Sequence, residues 1–409
     1  MSTDIVIVGG GAAGIGAARR LAGSGFSARL LEAGPRLGGR AWTHEIGGLE
    51  LDLGCGWLHS ADRNSWVAVA DASGIPVDRS HAAWGEQFRA LKFTPEEQAA
   101  AWQAFDGWTK RLATHPPASD AAADALAPNG PWNSHIRAIV SFISGATLER
   151  LSAADYVNYD QASSEDNWRV RSGYGSLISR SAPQEVVLNL STPVDSLALD
   201  ARGVTLTTPT GDIRARAAIV TVSTAVLAGD TIKLPVELEP WREAARQLPL
   251  GLNEKLFLEI VGAAPFESET HVTGNPRDPL TASYYIRPFG WPVIECFFGG
   301  ERARLLCETG LAAGCAFAID QLCNLFGADV RHTLRPLAGS NWSRSTRVGG
   351  AYSYALPGFA GARRQLAQSY DQRVFFAGEA TSAGDFSTAH GAHDSGVRAA
   401  TEAIAALSR

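Results

Sequence analysis

Asp4-Ile-Val-Ile-Val-Gly-Gly-Gly-Ala-Ala-Gly14 decides the fold. A short apolar run enters Gly9-x-Gly11-x-x-Gly14, and a helical stretch from Ile15 to Ala22 follows. Each glycine has a mechanical reason. Gly9 permits the tight turn out of the strand, Gly11 lets backbone approach a pyrophosphate, and Gly14 lets the helix pack close to the sheet. The helix N-terminus offers unpaired N–H groups and a partial positive charge to phosphates. A second strand, Ala28-Arg-Leu-Leu-Glu32, ends in a carboxylate. That group would accept hydrogen bonds from a ribose diol and repel a 2′-phosphate. The segment reads as a Rossmann-like unit for FAD or NAD rather than NADP.

A second segment of this kind stands at the other end of the chain. It reads Arg373-Val-Phe-Phe-Ala-Gly-Glu-Ala-Thr381, followed by Thr388-Ala-His-Gly-Ala-His-Asp-Ser-Gly396. Two such segments point to a dinucleotide gripped from both sides. Directly after Glu32, Gly34-Pro-Arg-Leu-Gly-Gly-Arg40 adds two glycines and an arginine.

Here the chain resembles the flavin-containing amine oxidases, which include monoamine oxidases, polyamine oxidases and histone lysine demethylases. The resemblance continues through Leu51-Asp-Leu-Gly-Cys-Gly-Trp-Leu-His59 and Asn64, Thr192-Pro-Val194, Ala218-Ile-Val-Thr-Val222 and Gly251-Leu-Asn-Glu-Lys255. It ends in Gly349-Gly-Ala-Tyr352 and Ala377-Gly-Glu379. It implies an α/β, two-domain flavin amine oxidase fold: a Rossmann-like FAD-binding domain (1–76, 169–231, 344–409) and a discontinuous α+β substrate-binding domain (77–168, 232–343). The cofactor residues it implies are Gly9, Gly11, Gly14, Glu32, Ala33, Arg36, Gly38, Gly39, Arg40, Gly56, Trp57, Leu58, Val194, Trp342, Gly378, Glu379, Thr388 and Ala389.

The resemblance also assigns the chemistry: hydride transfer from the carbon beside an amine nitrogen to flavin N5, with the imine hydrolysed and O2 as acceptor giving H2O2. Lys255 takes the place of a lysine bonded through water to N5. Tyr352 supplies one aromatic wall over the flavin face. The opposite wall, a tyrosine in monoamine oxidases, falls on Thr388, which opens the pocket to bulkier amines. His59 takes the place of a polar residue facing the amine. Ala351 replaces the cysteine that some monoamine oxidases link to the flavin, so the FAD is expected to be non-covalent. An L-amino-acid oxidase would need an arginine for the substrate carboxylate, and Arg89, Arg171 and Arg287 are available. A flavin dehydrogenase using another acceptor and a non-catalytic flavin-binding subunit are the remaining alternatives.

Composition fits a globular enzyme long enough for two domains, with 45% hydrophobic and 19% charged residues in 409. A net charge of −6 argues against a nucleic-acid or anionic-membrane surface. No apolar run reaches the length of a membrane span. The first strand starts too early to leave room for a signal peptide, so a cytoplasmic protein, with a homodimer as one option, is expected. Cys307, Cys315 and Cys323 recur in an Ala/Leu-rich stretch with a spacing compatible with one helix face, and no metal site is expected.

Overall fold

Ile5, Val6, Ile7 and Val8 are all buried, so the first strand does not alternate with polar residues. The computed structural model, which describes residues 3–201 and 203–409, shows why. Ile5 and Ile7 join one apolar core and Val6 and Val8 another, one on each face of the sheet. A parallel strand covered on both faces is apolar throughout. Thr3–Val8 pairs in parallel with Ala28–Leu31 on one side and Gly211–Val220 on the other. Val187–Asn189 extends the first side, also in parallel. The far edge of Gly211–Val220 is shared. Its N-terminal half pairs antiparallel with Gly203–Thr208, which continues to Ser196–Asp200. Its C-terminal half pairs in parallel with Val374–Phe376.

The first helix spans Ala12–Leu21, a turn earlier than its apolar pattern suggests. It packs against the last helix, Ala389–Leu407. The approach is too close for side chains at two positions. A Cβ on Gly16 would lie 2.4 Å from the His393 carbonyl oxygen, and one on Gly396 would lie 2.0 Å from that of Ala13.

The chain divides into two compact units. The first comprises Met1–Arg79, Asn158–Leu250 and Ser345–Arg409, and the second Ser80–Val157 and Gly251–Arg344. Residues 158–168 and 232–250, expected with the second group of segments, lie in the first unit. Helix Glu239–Arg246 accounts for part of this. Its Trp241, Ala244 and Ala245 are buried in the core that holds Val6 and Val8.

The second unit holds a five-stranded antiparallel sheet in the order Thr270–Thr273, Ser283–Ile286, Val293–Gly299, Asn253–Ile260, Leu334–Gly339. Helices Gly300–Thr309 and Leu311–Phe326 cover it, burying Leu306, Cys315, Ala318 and Leu322 with Leu256, Leu258 and Tyr284. Its helical part includes Pro95–Thr114, which begins with a Thr94/Glu97 capping box and Pro95 in its first turn. The three cysteines do not share one helix. Gly310, at φ +88, separates Cys307 from Cys315 and Cys323. All five cysteines are free thiols. Among the described residues no helix is long and apolar enough to cross a membrane, and no cluster is placed to hold a metal ion.

Candidate active site

The glycine loop is built as its chemistry requires. Gly9 has φ +109, and a Cβ there would sit 2.6 Å from Thr221 Oγ1. A Cβ on Gly14 would lie 1.9 Å from the Gly9 carbonyl oxygen. Gly11 is different: a Cβ there would meet no protein atom closer than 3.9 Å. Gly11 is also the N-cap of Ala12–Leu21, at an ordinary φ of −77, and no side chain caps the helix. The protein's own packing therefore does not demand glycine at position 11, while the first-turn N–H groups lack a capping acceptor. A bare helix N-terminus beside a glycine with open space at its Cβ position fits a diphosphate.

Glu32 and the wrap complete this cradle. The Glu32 carboxylate accepts from the Gly10 N–H at 2.7 Å and the Gly34 N–H at 2.6 Å, which fixes its direction. A carboxylate retains acceptor capacity after two such bonds, so it still suits a ribose diol. Ala33 lies half-buried in the bend that follows. The Gly38 N–H donates to the Gly10 carbonyl at 2.8 Å, laying Gly38-Gly39 beside Gly11. Arg36 is engaged by its own turn. It donates to the carbonyls of Leu37, Gly39 and Ala41 and stacks on Trp42, 4.9 Å from its centroid. Arg36 thus shapes the turn. Val194 contributes its side chain to the apolar core.

Glu379 is the hub of the C-terminal grip. It is buried and accepts from Arg40 at 3.0 Å, from the Ser353 N–H and hydroxyl, and from the Ser387 N–H. Burial alone would raise its pKa. Arg40 and Arg363, with the Ser353 and Ser387 bonds, more than offset this and hold the carboxyl below its usual value. Arg40 also donates to the Ala351 carbonyl. One carboxylate therefore ties the wrap to the loops around residues 351–353 and 387. Gly378, at φ +137, donates its N–H to Ser395 Oγ at 2.9 Å, anchoring the preceding strand to the last helix.

Gly56, Trp57 and Leu58 lead into the two-residue strand Leu58–His59, which pairs with Trp168 and Asn167. Leu58 is buried, and the Arg169 guanidinium lies over the Trp57 ring at 4.9 Å. His59 Nδ1 lies 2.7 Å from Asn167 Oδ1 and, with that oxygen as acceptor, carries the proton. Asn64 holds the His59 carbonyl at 2.9 Å, caps the next helix through Trp66 N–H, and donates to His390 Nδ1 at 3.2 Å. His390 then bears its proton on Nε2, 3.3 Å from Asp385.

Tyr352 lies in the loop that Glu379 organises, with Ala351 buried beside it. Burial, and then the neighbouring Tyr159 hydroxyl, push its phenol well above the ordinary value. Thr388 is the N-cap of the last helix. Its hydroxyl accepts from the Gly391 N–H at 3.0 Å and donates to the Asp385 carbonyl at 2.6 Å. Ala389 starts that helix, and its carbonyl accepts from the Trp66 indole at 3.0 Å.

In the second unit, Lys255 is buried on strand Asn253–Ile260, and its ammonium pairs with Glu295 at 2.8 Å. Ser340 receives its backbone N–H at 2.8 Å and bonds the neighbouring, buried Glu254. Trp342 lies half-buried in the short turn Trp342–Arg344 that follows. Sequence reasoning found neither Glu295 nor Asn167 as partners, nor the Ser353, Arg363 and Ser387 contributions around Glu379. No local motif marks them.

The chain matches the family model described as flavin containing amine oxidoreductase over residues 12–114 and 103–404. Polyamine oxidase 4 of Oryza sativa subsp. japonica is 25% identical over 436 residues, covering 98% of this chain and 88% of the relative. Putrescine oxidase solved with putrescine has a TM-score of 0.76 at 18% identity, with 99% of each chain covered. Cyclohexylamine oxidase from Brevibacterium oxydans IH-35A gives 0.75 at 20% identity over 100% of both chains. These two structures share the fold.

Proposed function

The chain belongs to the flavin-containing amine oxidoreductases, and on that premise we propose that it binds FAD non-covalently and oxidises a small amine, with O2 as the electron acceptor. When bound, FAD supplies hydride acceptance at N5 from the carbon beside the amine nitrogen, leaving an imine that water hydrolyses, and returns electrons to O2 as H2O2. The observation that carries the cofactor reading is the bare N-terminus of Ala12–Leu21 beside Gly11, with the Glu32 carboxylate fixed by the Gly10 and Gly34 N–H groups.

The chain's residues divide the remaining work. The glycine loop and helix N-terminus hold the diphosphate, and Glu32 holds the ribose. Arg40 and Glu379 fix the loop that presents Tyr352. Tyr352 aligns the amine with its ring face. His59, oriented by Asn167, exchanges a hydrogen bond with the amine nitrogen. Lys255, whose side-chain nitrogen pairs with Glu295, favours reoxidation by O2. Thr388 presents no ring, so the substrate is bulkier than a simple primary arylalkylamine: a secondary or cyclic amine, or a polyamine nitrogen. Among the matched relatives, the polyamine oxidases lie in this range, whereas putrescine and cyclohexylamine are primary amines.

Stopped flow tests the reading. Anaerobic mixing with polyamines, cyclic amines, benzylamine or L-amino acids should bleach the flavin with amines and not with amino acids. Lys255→Met should leave that phase comparatively intact and slow the return of colour on adding O2. Acid precipitation should release all flavin to the supernatant. Bleaching by amino acids alone, equal reoxidation in variant and parent, or flavin retained in the pellet would each overturn the corresponding part.

A further inference from the structure

Thr388 leaves one side of the amine pocket without a ring, and the structure brings a different ring to that loop. We infer that Tyr159 is the second aromatic side of the amine pocket, replacing the ring that Thr388 lacks. The inference rests on the reading of Tyr352 as the first side.

The last turn of helix Ala153–Ala162, from Asn158 onward, belongs to the first unit. That turn is fastened to the 384–388 loop at three points. A Cβ on Gly384 would lie 2.8 Å from Ala162 Cβ and 3.6 Å from the Asn158 carbonyl oxygen, so the loop packs closely on the helix. Arg63 donates to the Ala162 carbonyl and to both oxygens of Asp385. The Tyr159 ring packs on Phe386 with centroids 5.5 Å apart and planes tilted by 48°. Tyr159 and Ala162 are three residues apart on the helix and share one face. Thr388 is bound to the same loop through the Asp385 carbonyl.

Tyr352 and Tyr159 differ from a core ring such as Phe386. Phe386 is buried, whereas both tyrosines keep part of their surface open. Both phenols are nevertheless pushed up, by burial first, and Tyr352 also feels the Tyr159 hydroxyl. Tyr352 is tied to the loop on which Tyr159 packs: the Ser387 hydroxyl donates to the Ser353 carbonyl at 3.0 Å, and the N–H groups of Ser353 and Ser387 both bond the Glu379 carboxylate. Two ring faces at the sides of the pocket attract a cationic amine on entry and grip its apolar substituent afterwards.

The test compares dissociation constants from anaerobic flavin reduction of the holoenzyme, with benzylamine and cyclohexylamine as probes. Tyr159→Leu should weaken binding of both by about fivefold, the size of one ring contact, while Tyr159→Phe stays near the parent. Tyr352→Leu serves as the control for the underlying reading. A weakened Tyr352→Leu beside an unchanged Tyr159→Leu would overturn this inference and leave the pocket reading standing. An unchanged Tyr352→Leu would overturn both. A lower Tm in Tyr159→Leu without any change in dissociation constant would make Tyr159 a packing residue for Phe386 only.

Discussion

Two helices of the first unit lie against each other and end in opposite ways. Ala12–Leu21 begins at a glycine and carries no capping side chain. Ala389–Leu407 begins at Thr388, whose hydroxyl closes the Gly391 N–H and is itself tied to Asp385. Bare N–H groups inside a protein are costly unless a ligand satisfies them. On the proposed reading the bare end is the one offered to a phosphate, and the capped end is finished by the chain itself. Identical secondary structure acquires different chemistry from the single residue before it.

The largest effect that would sharpen this contrast lies in the glycines. Gly14→Val should cost at least about 3 kcal/mol, because its Cβ position overlaps the Gly9 carbonyl and backbone cannot yield cheaply. Denaturant unfolding of the flavin-free protein reads it directly. Gly11→Ala should cost the fold no more than about 1 kcal/mol, the difference between glycine and alanine as an N-cap, and weaken FAD binding by roughly tenfold to hundredfold. A large stability loss in Gly11→Ala would show that position 11 serves the fold rather than the ligand.

Acid should act on the capped end next. Burial would raise the Asp385 pKa, but His390 and Arg63 more than offset it and hold the carboxyl well below its ordinary value of 3.8. A depressed folded-state pKa means the contribution is complete above the unfolded-state value and is lost as pH falls through the folded one. Asp385→Asn should thus lower stability at neutral pH and flatten the stability profile below about pH 4. A variant whose profile stays parallel to the parent's down to strong acid would remove Asp385 from the account.

The smallest effect is the cap itself. Thr388→Ala should cost about 1 kcal/mol and Thr388→Ser much less. Equal losses for both would mean that the methyl group, and not the hydroxyl, holds the helix end. The hydroxyl's duty also bears on any larger residue placed at 388, since enlarging the side chain removes the cap at the same time.

What the sequence disclosed follows the range of the interactions. Gly9, Gly11, Gly14 and Glu32 are legible because they lie within one short strand–helix–strand unit, where backbone conformation leaves a local mark. The pairing of Lys255 with Glu295, and of His59 with Asn167, depends on strand register between distant segments. No local pattern encodes that. Arg36 carries contacts that the motif does not announce: its guanidinium bonds three carbonyls of its own turn. The cysteine spacing misled for a simpler reason. A regular interval suggests one helix until Gly310 breaks it.

The glycines at 16 and 396 also impose an order on synthesis. The first helix emerges from the ribosome early, but the surface that receives Gly16 belongs to the last helix, and the strand Val374–Phe376 that completes the sheet edge precedes it by only a short stretch. The nascent first helix therefore waits, with the apolar strands beside it partly uncovered, until the last helix has been made. Contacts of such long sequence separation slow folding and prolong the exposure of strand edges. A chain of this design is expected to depend on chaperones during translation more than its finished packing would suggest.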